Sequence, residues 1–227
     1  MRKVPFINGQ FYHVYNRGVE KRNVFEDKYD FLRFIQSMKV FNTVEPIGSI
    51  YAISFNKRNN KKLSNETTKF LKSKKGILKK KLVNFICYRL NSNHYHLLLE
   101  QVADNGISEF MKRLGGGYTR YFNEKYKRSG VLFQGVFKSS NINSDEYLKH
   151  LSVYINLNDR VHKLSGETTK YSSWEEYVEG NGFCKKDIIL GQFDDDRKKY
   201  EAFAEESLGW IIENKEKNKK IENTLLE

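Results

Sequence analysis

Cysteine is nearly absent from this chain. Cys87 and Cys184 are the two thiols among 227 residues, so no disulfide framework is indicated and a reducing compartment fits. No run of about 18 apolar residues occurs, which leaves no candidate for a membrane-spanning helix. The opening Met1-Arg2-Lys3-Val4-Pro5 leads into no apolar signal-peptide core, and a soluble cytoplasmic protein with no membrane partner is expected. Acidic residues are scarce in one place above all. From Lys57 to Lys81 the single acid Glu66 faces 11 Lys/Arg, a local excess of +10 within a net charge of +12. So local an excess fits either a grip on a polyanion or a solvated lysine-rich excursion.

What is present argues for a folded domain. Hydrophobic residues make up 39 % of the chain and aromatics 14 %, too many for a disordered polymer, and 227 residues can bury a real core. Gly9 to Arg17 alternates around aromatic and β-branched residues and reads as a strand ended by Gly18. From Glu26, the residues Tyr29, Phe31, Leu32, Phe34, Ile35, Met38 and Phe41 recur with helical period, predicting a helix to near Asn42 that Pro46 and Gly48 close. A short strand is expected over Ser49 to Phe55, inside a partly ordered basic insertion at about 44–80. Leu82 to Leu90, the turn Asn91-Ser92-Asn93 and the strand His94 to Val102 read as an antiparallel hairpin.

A helix is expected from Ser108, bearing Phe110, Met111, Leu114, Tyr118, Tyr121 and Phe122. Gly115-Gly116-Gly117 at its middle costs roughly 1 kcal/mol per glycine relative to alanine, which points to close backbone approach by something. Val131 to Lys138 reads as a last strand, and Ser144 caps a helix running to Asn156. The order is that of an α+β protein: an antiparallel sheet with helices packed on one face, ferredoxin-like or split βαβ. A C-terminal helical extension occupies 181–227, beyond a domain spanning 1–180.

The chemistry-bearing stretch is Asn93-His94-Tyr95-His96-Leu97-Leu98-Leu99. In a strand, alternate residues share a face, so His94 and His96 stand side by side while Tyr95, Leu97 and Leu99 face a core. Two imidazoles on one face can hold a divalent ion; two half-buried structural histidines are the plainer alternative. On the later helix, His150, Tyr154 and Asn158 recur every four residues and form a stripe if the helix reaches Asn158, although Tyr154 beside Leu151, Ile155 and Leu157 also suits a core. Lys112, Arg113, Arg120, Lys127 and Arg128 interleave with Tyr118 and Tyr121, the mixture that serves a nucleic-acid backbone and its bases. Arg17 and Lys138 extend this basic set.

Taken together, the pieces Phe11-Tyr12-His13-Val14-Tyr15-Asn16-Arg17-Gly18, Asn91 to Leu99, Tyr121-Phe122-Asn123, Leu132 to Ser139, Tyr154-Ile155-Asn156-Leu157-Asn158 and Tyr171-Ser172-Ser173-Trp174 resemble the HUH-type single-tyrosine transposases, within them the REP-associated group. The resemblance implies that His94 and His96 ligate Mg²⁺ or Mn²⁺, that Asn158 is a third ligand or its neighbour, and that Tyr154 is the nucleophile. It also implies cleavage and rejoining of single-stranded or hairpin DNA through a 5′-phosphotyrosine, in a bacterial-type, nucleoid-associated protein for which a homodimer is one open assembly. Two departures stand out: Asp159 replaces the proline usual after the asparagine, and the lysine-rich insertion is not general. Two rival readings are a non-catalytic ferredoxin-like nucleic-acid-binding protein and a metal-dependent nuclease using water.

Overall fold

The computed structural model describes residues 5–45 and 80–224. The expected strand at Ser49 to Phe55 and nearly all of the basic insertion lie outside the described residues.

Strands β1 (Phe11–Arg17), β2 (Val83–Asn91), β3 (His94–Gln101) and β4 (Lys138–Ile142) form one sheet in the order β2-β3-β1-β4, with every neighbouring pair antiparallel. With α1 (Lys28–Phe41) following β1 and α2 (Gly106–Lys125) following β3, the chain traces the expected split βαβ path. Helix α1 begins with a capping box: the Asp27 carboxylate accepts from the backbone of Tyr29 and Asp30, and the Asp30 carboxylate accepts from the Asp27 N–H. Asp30 is itself fully buried. Lys125 Nζ at 2.7 Å and the hydroxyls of Tyr121 at 2.9 Å and Tyr126 at 2.8 Å donate to it, so α1 and α2 share a satisfied buried charge.

Alternation on the strands separates two cores. Tyr12, Val14, Tyr88, Leu90, Tyr95, Leu97 and Leu99 pack beneath α1 and α2. Of the other parity, Leu98 joins Ile86 and Cys87 in a second cluster, a bulge between Phe85 and Cys87 bringing β2 into step. Helix α3 (Asp145–Asn156) covers this second face. The helices expected on one face are therefore α1 and α2, and the other face is covered as well. Its apolar residues require it, since Leu98, Ile86 and Cys87 would otherwise meet water.

Beyond α3 come α4 (Asn158–Val161), α5 (Trp174–Val178), α6 (Asp187–Leu190) and α7 (Arg197–Thr224). Tyr200, Ala204 and Leu208 of α7 enter the core that holds Leu148, Leu151 and Ile155 of α3. The C-terminal helical extension is thus packed onto α3 and shares its core.

Two expected boundaries shift. The last strand is Lys138–Ile142, not Val131 to Lys138. Residues 131–137 instead wrap the end of β1: Val19 N–H donates to Leu132 O, Gln134 N–H donates to Arg17 O, and Gly135 turns the chain with φ +69°. Helix α3 stops at Asn156, and Asn158 opens the separate short helix α4.

Candidate active site

The hairpin register sets the floor of the site. Asn91 opposes His94, which opposes Arg17; Arg89 opposes His96, which opposes Tyr15, which opposes Lys138. Directly opposed residues share a face. One end of the second sheet face therefore presents two rows, one Asn91, His94 and Arg17, the other Arg89, His96, Tyr15 and Lys138. His13, two residues before Tyr15, lies on this face also, with its Nε2 2.9 Å from His96 Nδ1. The His94 and His96 rings are 5.1 Å apart, edge to face.

Helix α3 lays Tyr154 over this floor. The helix starts on its Ser144 cap, whose hydroxyl accepts from Tyr147 N–H at 3.1 Å, and its buried polar residues lock it in place. Ser173 Oγ donates to Asn156 Oδ1 at 2.6 Å and accepts from Tyr88 N–H of β2, while Asn156 Nδ2 and Ser152 Oγ both meet the Tyr200 hydroxyl. So held, the half-buried Tyr154 ring stands 5.9 Å from that of His96. Its hydroxyl is 3.5 Å from His162 Nε2. Burial raises the Tyr154 pKa, opposed by the neighbouring Asn158 amide.

Asn158 reaches the same point although the helix has broken. Arg89 Nε donates to Asn91 Oδ1 at 3.0 Å, which fixes the Asn91 amide so that its Nδ2 donates at 2.8 Å to both His94 Nε2 and Asn158 Oδ1. Among the described residues, buried Asn158 Nδ2 has no hydrogen-bond partner within 3.5 Å. On its far side the His94 ring meets Asn93 Oδ1 at 2.6 Å, so Nδ1 carries the proton and Nε2 the lone pair. Burial lowers His13 and His94 to about 4 and takes His96 well below its ordinary value; the charges of His162, Arg17 and Arg89 push His94 the same way. All three imidazoles are thus neutral near pH 7, the form that ligates metals.

Among the described residues no three His, Cys, Asp or Glu side chains gather as a ready metal cluster. The donor set that converges is two neutral imidazoles and one amide oxygen, a mixed N/O set that divalent ions accept. The acceptor atoms of His94 and Asn158 already share one donor, and the orphaned amide nitrogen of Asn158 marks its side chain as incompletely satisfied.

Other expected residues distribute unevenly. Arg17 and Lys138 are exposed on the site face, while Lys112 and Arg120 are exposed on α2, across the sheet. Arg113 is committed to Glu109 and to Thr43 O, and Arg128 to Asn123 Oδ1 and Val131 O. Lys127 is exposed at φ +50° just past α2. Tyr118 does not stack bases: it is fully buried and donates to Val24 O at 2.6 Å, because Phe110, Leu114, Tyr118 and Phe122 form the core stripe of α2. Tyr121 is tied to Asp30. His150 turns from the site toward Phe203 and Trp210 of α7. Sequence reasoning missed His13, His162, Asn91 and Arg89; for the first, the polar parity of His13, Tyr15 and Arg17 in β1 was the available signal.

Fold and site define a split βαβ protein with a histidine–tyrosine centre at one end of its sheet. Residues 48–158, a stretch that holds His94, His96, Tyr154 and Asn158, match the family described as Transposase IS200 like. A solved REP-associated tyrosine transposase bound to a REP hairpin aligns with 83 % of this chain and 88 % of its own at 12 % identity, with a TM-score of 0.44. The tRNA(His) guanylyltransferase of Saccharomyces cerevisiae aligns with 84 % and 80 % at 13 % identity, with a TM-score of 0.27. No curated protein matches the chain.

Proposed function

We propose that the protein is a transposase that cleaves and rejoins single-stranded DNA, with Tyr154 as the nucleophile and His94, His96 and Asn158 as the residues that hold a divalent ion, Mg²⁺ or Mn²⁺. The observation that carries this reading is the convergence of β2, β3, α3 and α4 on one point, with the Tyr154 ring 5.9 Å from His96 and Asn91 joining His94 to Asn158. The family match over 48–158 supports it.

In this reading the Tyr154 oxygen attacks the phosphorus of the scissile phosphodiester. The bond from phosphorus to the 3′ oxygen breaks, leaving a 5′-phosphotyrosine and a 3′-hydroxyl, and the tyrosine proton ends on the departing oxygen. His162, 3.5 Å away, is placed to take that proton as the attack begins. Such help is needed because a buried phenol is a poor nucleophile near pH 7. A bound divalent ion would polarise the phosphate and offset the charge developing on it. Arg17 and Lys138, exposed on the same face, meet the DNA backbone. Because the phosphotyrosine conserves the phosphodiester, a second 3′-hydroxyl can reverse the step and join a new end.

The test is a labelled single-stranded hairpin oligonucleotide incubated with the protein and Mg²⁺ or Mn²⁺, then run under denaturing conditions. A covalent adduct is expected, mapping by mass spectrometry to the peptide containing Tyr154. It should vanish in Tyr154→Phe and persist in Tyr121→Phe. His94→Ala and His96→Ala should abolish it while leaving DNA binding within a few fold. Cleavage without adduct would favour the water-using nuclease, and binding without cleavage the non-catalytic module.

A further inference from the structure

The two histidines of the candidate metal site have their second ring nitrogen engaged in different ways. His94 directs Nδ1 to Asn93 Oδ1, an oxygen that only accepts, so its tautomer is decided by its neighbour in the chain. His96 directs Nδ1 to another imidazole, meeting His13 Nε2 at 2.9 Å. One nitrogen of such a pair donates and the other accepts, which leaves two arrangements. If His13 donates, the His96 proton sits on Nε2 and His96 keeps no lone pair for an ion. If His96 donates, its Nε2 is free to ligate and His13 carries its own proton on Nδ1.

The fold sets this contact from both sides. β1 is an inner strand, paired with β3 and with β4, and His13 lies opposite Leu98 of the one and Ser140 of the other. It stands diagonally across from His96, whose direct partner is Tyr15, a spacing that ring side chains span. The two imidazole rings are 5.1 Å apart and inclined by 22°. Tyr15 flanks both, 5.0 Å from His13 and 6.0 Å from His96. His96 is buried, and a buried N–H without an acceptor is costly, so the proton stays on His96 Nδ1 only while His13 accepts it.

We infer that His13 is a positioning residue for the metal, accepting the Nδ1 proton of His96 and so keeping Nε2 as the ligating atom, an inference that rests on the function proposed above. Ligating histidines ordinarily pass this proton to a carboxylate, a backbone carbonyl or water. A neutral imidazole in that place adds no charge to the site and accepts at Nε2 in one of its two tautomers alone. An ion held by His96 therefore also fixes the tautomer of a residue on the next strand.

The experiment titrates the full chain with Mn²⁺ alone, without DNA, and follows the heat of binding. Wild type should bind, and His94→Ala and His96→Ala should lose that binding. His13→Phe keeps a ring but offers no acceptor, and should bind Mn²⁺ roughly tenfold more weakly or worse. His13→Gln sets an amide oxygen near the position of Nε2 and should return the affinity to within a few fold of wild type. A role in packing alone would rank the two variants the other way, since phenylalanine keeps the ring and glutamine does not. Wild type supplies a second reading that needs no substitution: with diamagnetic Mg²⁺ bound, two-bond proton–nitrogen spectra should show His13 protonated at Nδ1 and bare at Nε2. A folded His13→Phe protein that binds Mn²⁺ like wild type, or a metal-bound wild type with His13 protonated at Nε2, would overturn the inference, and loss of Mn²⁺ in His94→Ala in the same series would show that the metal site stands without it. Wild-type Mn²⁺ affinity in both His94→Ala and His96→Ala would remove the metal site and the inference together.

Discussion

Arg89 Nη1 lies 3.0 Å from Asp159 Oδ1, and the arginine side chain is wholly shielded from solvent. The pair ties the C-terminal end of β2 to the residue after Asn158, and the same guanidinium donates to Thr169 O and Asn91 Oδ1. Burial lowers the Arg89 pKa and the Asp159 carboxylate opposes that shift. Asp159 is thus the counter-ion of a buried arginine.

Removing one partner of such a pair leaves an uncompensated buried charge. Asp159→Ala should cost about 3 kcal/mol in urea unfolding, and Asp159→Pro should cost at least as much. Adduct yield should fall in both because Asn91 and Asn158 lose their frame. Wild-type stability in Asp159→Ala would show that Arg89 is satisfied by its backbone and amide acceptors alone.

A pH dependence follows from the imidazoles. In metal-free protein His13 and His94 titrate near 4 instead of 6.5, so the unfolded chain takes up protons before the folded chain does. Their contribution is intact above pH 6.5 and is lost as pH falls from 6.5 through 4, by roughly 3 kcal/mol per imidazole. Thermal melts from pH 7.5 to 4 should show this decline, and His13→Gln should flatten it. A melting temperature independent of pH over that range would contradict the burial assigned to these rings.

Tyr118→Phe should cost about 1–2 kcal/mol, because Val24 O loses its buried donor. DNA affinity should not change. A loss of affinity at unchanged stability would return Tyr118 to the interface.

Alanine scanning of the glycine triplet should split in sign. Gly115→Ala and Gly116→Ala each gain up to about 1 kcal/mol of helix stability, whereas Gly117→Ala is opposed by the Phe41 ring at 2.8 Å. Denaturant midpoints of the three variants decide this.

Much of this protein could be read locally. Alternation in β1 and β3, the Ser144 cap and the shared face of His94 and His96 depend on residues a few positions apart, and local backbone geometry settles such features. The stripe Phe110, Leu114, Tyr118 and Phe122 marked Tyr118 as a core residue too, but its neighbouring cations drew it into the DNA-binding set. Other features depended on distant segments. Val131 to Lys138 is apolar enough for a strand, yet the backbone at the end of β1 bonds this segment as a wrapping loop and leaves β4 to Lys138–Ile142. Asn158 belongs with Tyr154 even though α3 ends before it, because Asn91 and Arg89 hold it from β2. His13 and His162 join the site for the same reason: strand register and helix docking bring together residues separated by tens of positions, and the burial that makes their imidazoles neutral exists only after the sheet and α3 have closed over them.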